Sequence, residues 1–477
     1  MDCHCYEPHE APYPVALLSK GFCRMLMERC RSCGAARIEA ILDSMAGKKA
    51  LCTRCAASKA AVVSCLSNGL PHKDTLKDFA ASQLYRKTVI GIVAGIAFFG
   101  PRAPQAAGVP SSVTWNVTNK CNLRCLHCYT DAKARKPRGE LDTKEAFRAV
   151  DAMASAGVAA LTLSGGEPLL RKDVFRIARR AAGKGIHVSM ETNGTNIGKK
   201  DAKKLVNWGV RAVDVALDGG VPKTHDIFRQ SAGCFRLATE GIANCVETGA
   251  FDDVSVTLAL TERNWSEVAI AYDHAQRLHC TSFHVTPLLP AGRASGLRSP
   301  VTVPQRIEVM RFMQMQLRER AKDALKGRSR PLALGKNMPY YARFAADAGT
   351  PLPDGRMYFA LRAIRRNDSR LEGSAMAAAQ ALLRTTGAAS EGVTACALLA
   401  DGSIVPSPAS PTPLGNILEQ GLRRVWLSDR TLNAMRDHAL LKGKCGACAH
   451  KAACGGSRVH SFVSTYDWLE SDPGCPY

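Results

Sequence analysis

The chain lacks the marks of a membrane or secreted protein. Its 477 residues hold no apolar run long enough to span a bilayer; the one candidate, residues 89–99, is too short. That run reads as a buried helix joining two parts of the chain, with membrane-surface contact as the alternative. No positively charged region precedes an apolar stretch at the N-terminus, where Asp2, Glu7 and Glu10 stand instead, so no signal peptide is expected. Aromatic residues make up 6% and do not interleave with basic ones, and no nucleic-acid motif accompanies them. Acidic residues are outnumbered 42 to 64, which leaves a formal charge of +22, a field that favours anionic partners. The 19 cysteines are not spread as a disulfide framework but cluster at short spacings. Reduced thiols of that kind point to the cytoplasm.

What is present is concentrated in one loop. Cys121-Asn-Leu-Arg-Cys125-Leu-His-Cys128 follows an alternating run at 113–118 that reads as a strand. Three thiolates at this spacing can hold three irons of a [4Fe-4S] cluster and leave the fourth iron open. A zinc knuckle is the alternative, although zinc sites usually pair two C-x2-C hooks.

Some forty residues later, Leu161-Thr-Leu-Ser-Gly165-Gly166-Glu167-Pro168 reads as a strand ending in a glycine pair, a carboxylate and a proline. Glycines there allow close backbone approach to a ligand. Together the two motifs resemble the radical S-adenosylmethionine (SAM) superfamily. The resemblance implies that Cys121, Cys125 and Cys128 hold a cluster whose open iron chelates SAM. A 5′-deoxyadenosyl radical then abstracts hydrogen from the substrate. It implies that His127 neighbours the adenine and that Gly165, Gly166 and Glu167 meet the methionyl end of SAM. Thr192 and Asn193, in Glu191-Thr-Asn-Gly194, fall where the family contacts the SAM ribose and carboxylate, though an Asn-Gly turn is an equal reading.

The implied fold is α/β: a partial (β/α)6 barrel between a cysteine-rich helical N-terminal module and a small C-terminal Fe-S domain. Residues 1–108 form the module, 109–300 the core, 301–390 a connector and 391–477 the auxiliary-cluster domain. Further strands are expected at 186–190, 212–217, 254–260 and 282–286, with a helix at 305–325. Asp142 and Glu145 have the spacing of a helix N-cap and its reciprocal carboxylate.

Two further cysteine sets remain. Cys445, Cys448, Cys454 and Cys475 are four thiols that close either a [4Fe-4S] cluster or a zinc site. They resemble the second auxiliary cluster of SPASM-type radical SAM enzymes. Where that pattern wants ligands for a first auxiliary cluster, Ser407 and Ser457–Arg458 stand, so one auxiliary cluster is implied and Cys396 is a small buried residue. Cys30-x2-Cys33 and Cys52-x2-Cys55 form two hooks at zinc-ribbon spacing, with a further Fe-S cluster or plain core cysteines as alternatives. Few apolar residues are apparent between these hooks, so metal is expected to carry the folding energy there. Cys3 and Cys5 could join them.

The tail from Leu441 to Tyr477 resembles the radical SAM enzymes of alternative heme and heme d1 biosynthesis, which remove side-chain carboxylates from siroheme-derived tetrapyrroles. The expectation is therefore a radical SAM enzyme acting on a tetrapyrrole side chain, with peptide maturation as the second reading. A non-catalytic Fe-S or zinc protein is the reading from another class. The implied partners are SAM, an anionic small molecule or peptide, and a reducing donor such as ferredoxin or flavodoxin.

Overall fold

Strand and helix alternate from residue 112 onward, and the parallel sheet follows from that alternation, because each βα unit returns the chain to the same end of the sheet. The computed structural model describes residues 19–67, 75–132, 139–297, 301–324, 329–349, 352 and 369–477. Cys3 and Cys5 lie outside them. Six strands pair in parallel in chain order: β1 (Ser112–Thr118), β2 (Ala160–Gly165), β3 (His187–Thr192), β4 (Val210–Ala216), β5 (Asp253–Leu260) and β6 (Ser282–Pro287). Each lies within two residues of its expected bounds.

The ladder continues past both expected edges. β7 (Leu332–Gly335) pairs in parallel with β6, and β8 (Ala395–Leu398) pairs in parallel with β1. β9 (Ser403–Val405) and β10 (Gly415–Asn416) then add antiparallel to β8. Segments read as a connector and as a separate C-terminal domain thus each supply a strand to the central sheet. Four-residue runs such as Leu332–Gly335 are too short to declare a strand by periodicity.

Helices cover the outer face. In the helix Val174–Gly183, Val174, Ile177, Ala178 and Ala181 are buried, the i, i+3, i+4, i+7 stripe of a core-facing helix. The helix Thr143–Ala156 opens on a complete capping box. Asp142 Oδ1 accepts from Glu145 N at 2.8 Å, and Glu145 Oε2 accepts from Asp142 N at 2.9 Å.

The N-terminal module is helical: α1 (Lys20–Met27), α2 (Arg37–Met45), α3 (Thr53–Ser67), α4 (Leu76–Ala81) and α5 (Gln83–Phe99). It has apolar content of its own, which corrects the expectation of a module without a core. Ile38, Ile41 and Leu42, between the hooks, are fully buried with Leu26 and Phe79, and they are continuous with the barrel core. Ile38, Ile41, Leu42, Met45 and Leu51 all stand between the hooks, and α2 gathers the first three on one buried face.

α5 contains the 89–99 run and is a packing helix. A Cβ on Gly95 would fall on the Ala106 carbonyl oxygen, and Gly108 N donates to Gly91 O at 2.8 Å. Among the described residues no helix is long and apolar enough to cross a membrane.

Candidate active site at the carboxyl ends of the strands

A cavity of about 640 Å³ opens inside the barrel and is lined from every strand of the parallel core. It is within the range of small-molecule sites. β1 delivers the cysteine loop to it: Cys121 and Cys125 are buried and Cys128 half-buried, and the three pack together. Leu123 N donates to Cys121 Sγ at 3.4 Å, and the Arg229 guanidinium donates to Cys125 Sγ at 3.5 Å. Burial pushes the Cys121 and Cys125 thiols up, against the pull of Arg229 on Cys125. Two buried thiols and a half-buried one beside a single cation are costly as bare thiolates and suited to a bound metal group. They are not gathered within the 4.8 Å that would serve a single ion. The donor set therefore fits an iron–sulfur cluster better than a lone metal.

The glycine pair at the end of β2 also serves the packing of the backbone. A Cβ on Gly165 would fall on the Thr118 carbonyl oxygen, and one on Gly166 on that of Lys120. Gly166 N donates to Thr118 O at 2.8 Å and Glu167 N to Lys120 O at 2.7 Å. The glycine pair lets β2 lie against the backbone that carries Cys121, and both residues also line the cavity.

Glu167 is fully buried with its carboxylate already engaged. Oε1 accepts from Thr192 Oγ1 at 2.8 Å and Leu169 N at 3.2 Å, while Oε2 accepts from Asn193 N at 2.9 Å. Burial pushes this carboxyl up and those bonds draw it back. Asn193 Nδ2 donates to Asn122 Oδ1 at 2.8 Å, so one chain of bonds ties the β2, β3 and cysteine loops together. Thr192 and Asn193 line the cavity, whereas Glu167 does not.

His127 lies beside Asp218, with Nε2 at 3.0 Å from Oδ2, and its Nδ1 is buried without a partner among the described residues. Asp218 also pairs with Arg229, accepts from Ala259 N at 3.0 Å, and its own N–H donates to His225 Nδ1 at 3.0 Å. Burial alone would raise the Asp218 carboxyl, but Arg229 and His127 hold it far below the usual range. The Asp218–Gly219, His225 and Arg229 run is thus one hub that props the cysteine loop from behind.

Residues that no motif announced line the cavity walls. Lys336, just past β7, pairs with Glu191 of β3 and Asp214 of β4, and His284 of β6 stands 3.8 Å from Asp214. Burial would lower the Lys336 amine, but its two carboxylates raise it. Arg293 reaches back to the cysteine loop, donating to Cys125 O and Ala132 O at 2.8 Å each and pairing with Asp131. The available signal was a charge in a strand otherwise apolar, such as Asp214 in Val210–Ala216. Among the described residues the lining carries six carboxylates (Glu191, Asp214, Asp218, Asp252, Asp253, Glu391) against Arg229, Arg293 and Lys336. Among the described residues, therefore, the basic excess is not inside the cavity.

The C-terminal thiols come together around the short helix Gly443–Ala447 and the tail, close enough for their charges to interact. Cys445 Sγ accepts from Asp472 N at 3.4 Å and from Arg458 at 3.6 Å, and Arg343 lies 4.0 Å from Cys448 Sγ. Ser457 caps the helix Arg458–Thr465, and Ser407 and Cys396 are buried and line the main cavity. The N-terminal thiols of Cys30, Cys33, Cys52 and Cys55 meet at a separate point in the helical module.

The family model described as the radical SAM superfamily matches residues 115–275. An AdoMet-dependent heme synthase of Methanosarcina barkeri is 32% identical over 77% of this chain and 97% of its own length. A pre-heme d1 synthase of Dinoroseobacter shibae is 30% identical, covering 79% of this chain and 89% of its own. Among solved structures, Streptococcus suis SuiB superposes with a TM-score of 0.59 over 92% of both chains, at 14% identity. Sequence, fold and cysteine loop agree: this chain belongs to the radical SAM superfamily and is an enzyme of that kind.

Proposed function

We propose that this enzyme modifies a side chain of a siroheme-derived tetrapyrrole, removing a carboxylate. The observation that carries the reading is the 32% identity maintained over 97% of a heme synthase. In this reading Cys121, Cys125 and Cys128 hold the radical-generating [4Fe-4S] cluster, and Cys445, Cys448, Cys454 and Cys475 hold one auxiliary cluster. The cluster and SAM supply one-electron cleavage of the sulfonium, and hence a hydrogen-abstracting radical. The protein's part is to position and to exclude water. His127, Gly165, Gly166, Thr192 and Asn193, which line the cavity, would contact SAM, and Glu167 would position Thr192 and Asn193, to which it is hydrogen-bonded. Lys336, half-buried in the cavity wall, is held between Glu191 and Asp214. A substrate carboxylate can draw on it only by competing with those two.

The acid-rich lining favours the second reading, a peptide substrate that offers N–H donors. A reducing donor such as ferredoxin or flavodoxin would meet the basic exterior, and the reduced thiols suit the cytoplasm. Anaerobic reconstitution with SAM and dithionite, followed by mass spectrometry, separates the readings. The proposal expects 5′-deoxyadenosine together with loss of carbon dioxide from a siroheme-derived tetrapyrrole. Turnover of candidate peptides alone, with tetrapyrroles unchanged, would sink it.

A further inference from the structure

Cys30 Sγ lies 3.6 Å from Cys52 Sγ, and Cys33 Sγ lies 3.7 Å from Cys55 Sγ. All four sulfurs fall within 4.8 Å of one another. A disulfide would bring a pair to about 2.05 Å. Four thiolates around one ion, each at about 2.3 Å, stand about 3.8 Å apart at the corners of a tetrahedron. In a cubane each thiolate binds a different iron, which sets the sulfurs wider apart. We propose that Cys30, Cys33, Cys52 and Cys55 bind a single tetrahedral Zn2+, at a site independent of the chemistry in the barrel.

The local backbone is built for thiolates. The first hook is a tight turn in which Gly34 N donates to Cys30 O and Cys30 N to Ala35 O, both at 2.8 Å, with Gly34 at φ +71. It is closed by a bridge between Arg29 and Ala36. The N–H groups of Ser32 and Cys33 face the Cys30 sulfur. The second hook straddles the start of α3, where Cys52 precedes the helix and Cys55 sits in its first turn. Fifteen residues of α3 direct their dipole at these two sulfurs, which favours negative charge there. Turn and helix start are thus two separate anion-stabilising devices aimed at one point.

A closed set of four protein ligands leaves no open position for a substrate, so the site is structural. Its place in the fold agrees. α5 docks against residues 106–108, ahead of the first residue of β1, whereas the radical-site cysteines follow its last. Seven extended residues, about 23 Å, separate those ends. The ion would pin the 30–36 turn to α3 and so fix how the module is presented below the barrel.

The test uses the full-length enzyme with its iron–sulfur sites reconstituted anaerobically. Elemental analysis should give about one zinc per chain, and zinc K-edge absorption four sulfur neighbours at about 2.3 Å. Co2+ exchanged into the site should show the intense visible bands of tetrahedral thiolate coordination. These three readings need no variant. In the double variant Cys33→Ser, Cys52→Ser zinc should fall to background while iron per chain stays at the wild-type level. Absence of zinc from the wild-type protein, nitrogen or oxygen in its metal shell, full zinc in the variant, or a loss of about four irons would each overturn the proposal.

Discussion

Cys30/Cys33, Cys52/Cys55, Cys125/Cys128 and Cys445/Cys448 share the same C-x2-C spacing, yet the fold puts them to different uses. The first two hooks close on each other until four sulfurs fit around a point. The third is joined by Cys121 on a loop wedged between the ends of β1 and β2, its sulfurs kept wider and Arg229 laid against one of them. Spacing along the chain therefore sets only how near two thiols can be. Whether they gather around an ion or spread around a cluster is decided by the second strand of contacts, a partner hook in one region and a strand end in the other.

The largest effect that would sharpen this contrast comes from the barrel side. Replacing Cys121, Cys125 and Cys128 with Ala should remove about four irons per chain and abolish 5′-deoxyadenosine formation, leaving zinc unchanged. Persistent SAM cleavage would break the assignment of this loop.

A matched pair of glycine variants probes backbone instead of ligands. Gly166→Ala drives a Cβ onto the Lys120 carbonyl, in the loop that carries Cys121. We expect a loss of about 3 kcal/mol or more and poor iron incorporation. Gly34→Ala has open space and only its positive φ to resist it, so about 1–2 kcal/mol should be lost. Equal melting temperatures and equal iron contents in the two variants would contradict the contrast.

Acid should act through His225 in the hub behind Cys125. Burial, followed by Arg229, pushes this imidazole down to about 4, and its Nδ1 accepts from Asp218 N. An unfolded histidine titrates near 6.5, so between pH 6.5 and 4 the unfolded chain binds the extra proton. Stability from this group is full above that window and lost as pH falls through it, by about 3 kcal/mol at most. His225→Gln should flatten the pH dependence of the melting temperature in that range, and an unchanged slope would dismiss the role.

The smallest expected effect lies in the C-terminal region. Ser457→Ala removes the N-cap of Arg458–Thr465 and should cost about 1 kcal/mol with no change in iron. Iron loss in this variant would show that Ser457 does more than cap a helix.

Much of this was legible in sequence because it rests on local rules. The six core strands follow from periodicity, and the capping box of Asp142 and Glu145 from residue type at fixed spacing. The cavity-facing placement of Cys121, His127 and Asn193 follows from lying just past strand ends. What escaped depends on long-range placement. β7 and β8 are too short to announce themselves, and Lys336 becomes a partner of Glu191 only across 145 residues of chain. Glu167 carries a motif's expectation of facing a ligand, but its oxygens accept from Thr192, Asn193 and Leu169. That Ile38, Ile41 and Leu42 join the barrel core is likewise a matter of placement across the chain.

The separation of a basic surface from an acid-lined interior has a consequence for ionic strength. At 0.1 M salt exposed charges are screened beyond about 10 Å, while partly buried pairs are screened much less. Adding salt should therefore weaken the attraction of the exterior for any acidic partner and leave Lys336 between Glu191 and Asp214 largely as it was. Salt thereby turns docking and chemistry into two quantities that can be varied one at a time.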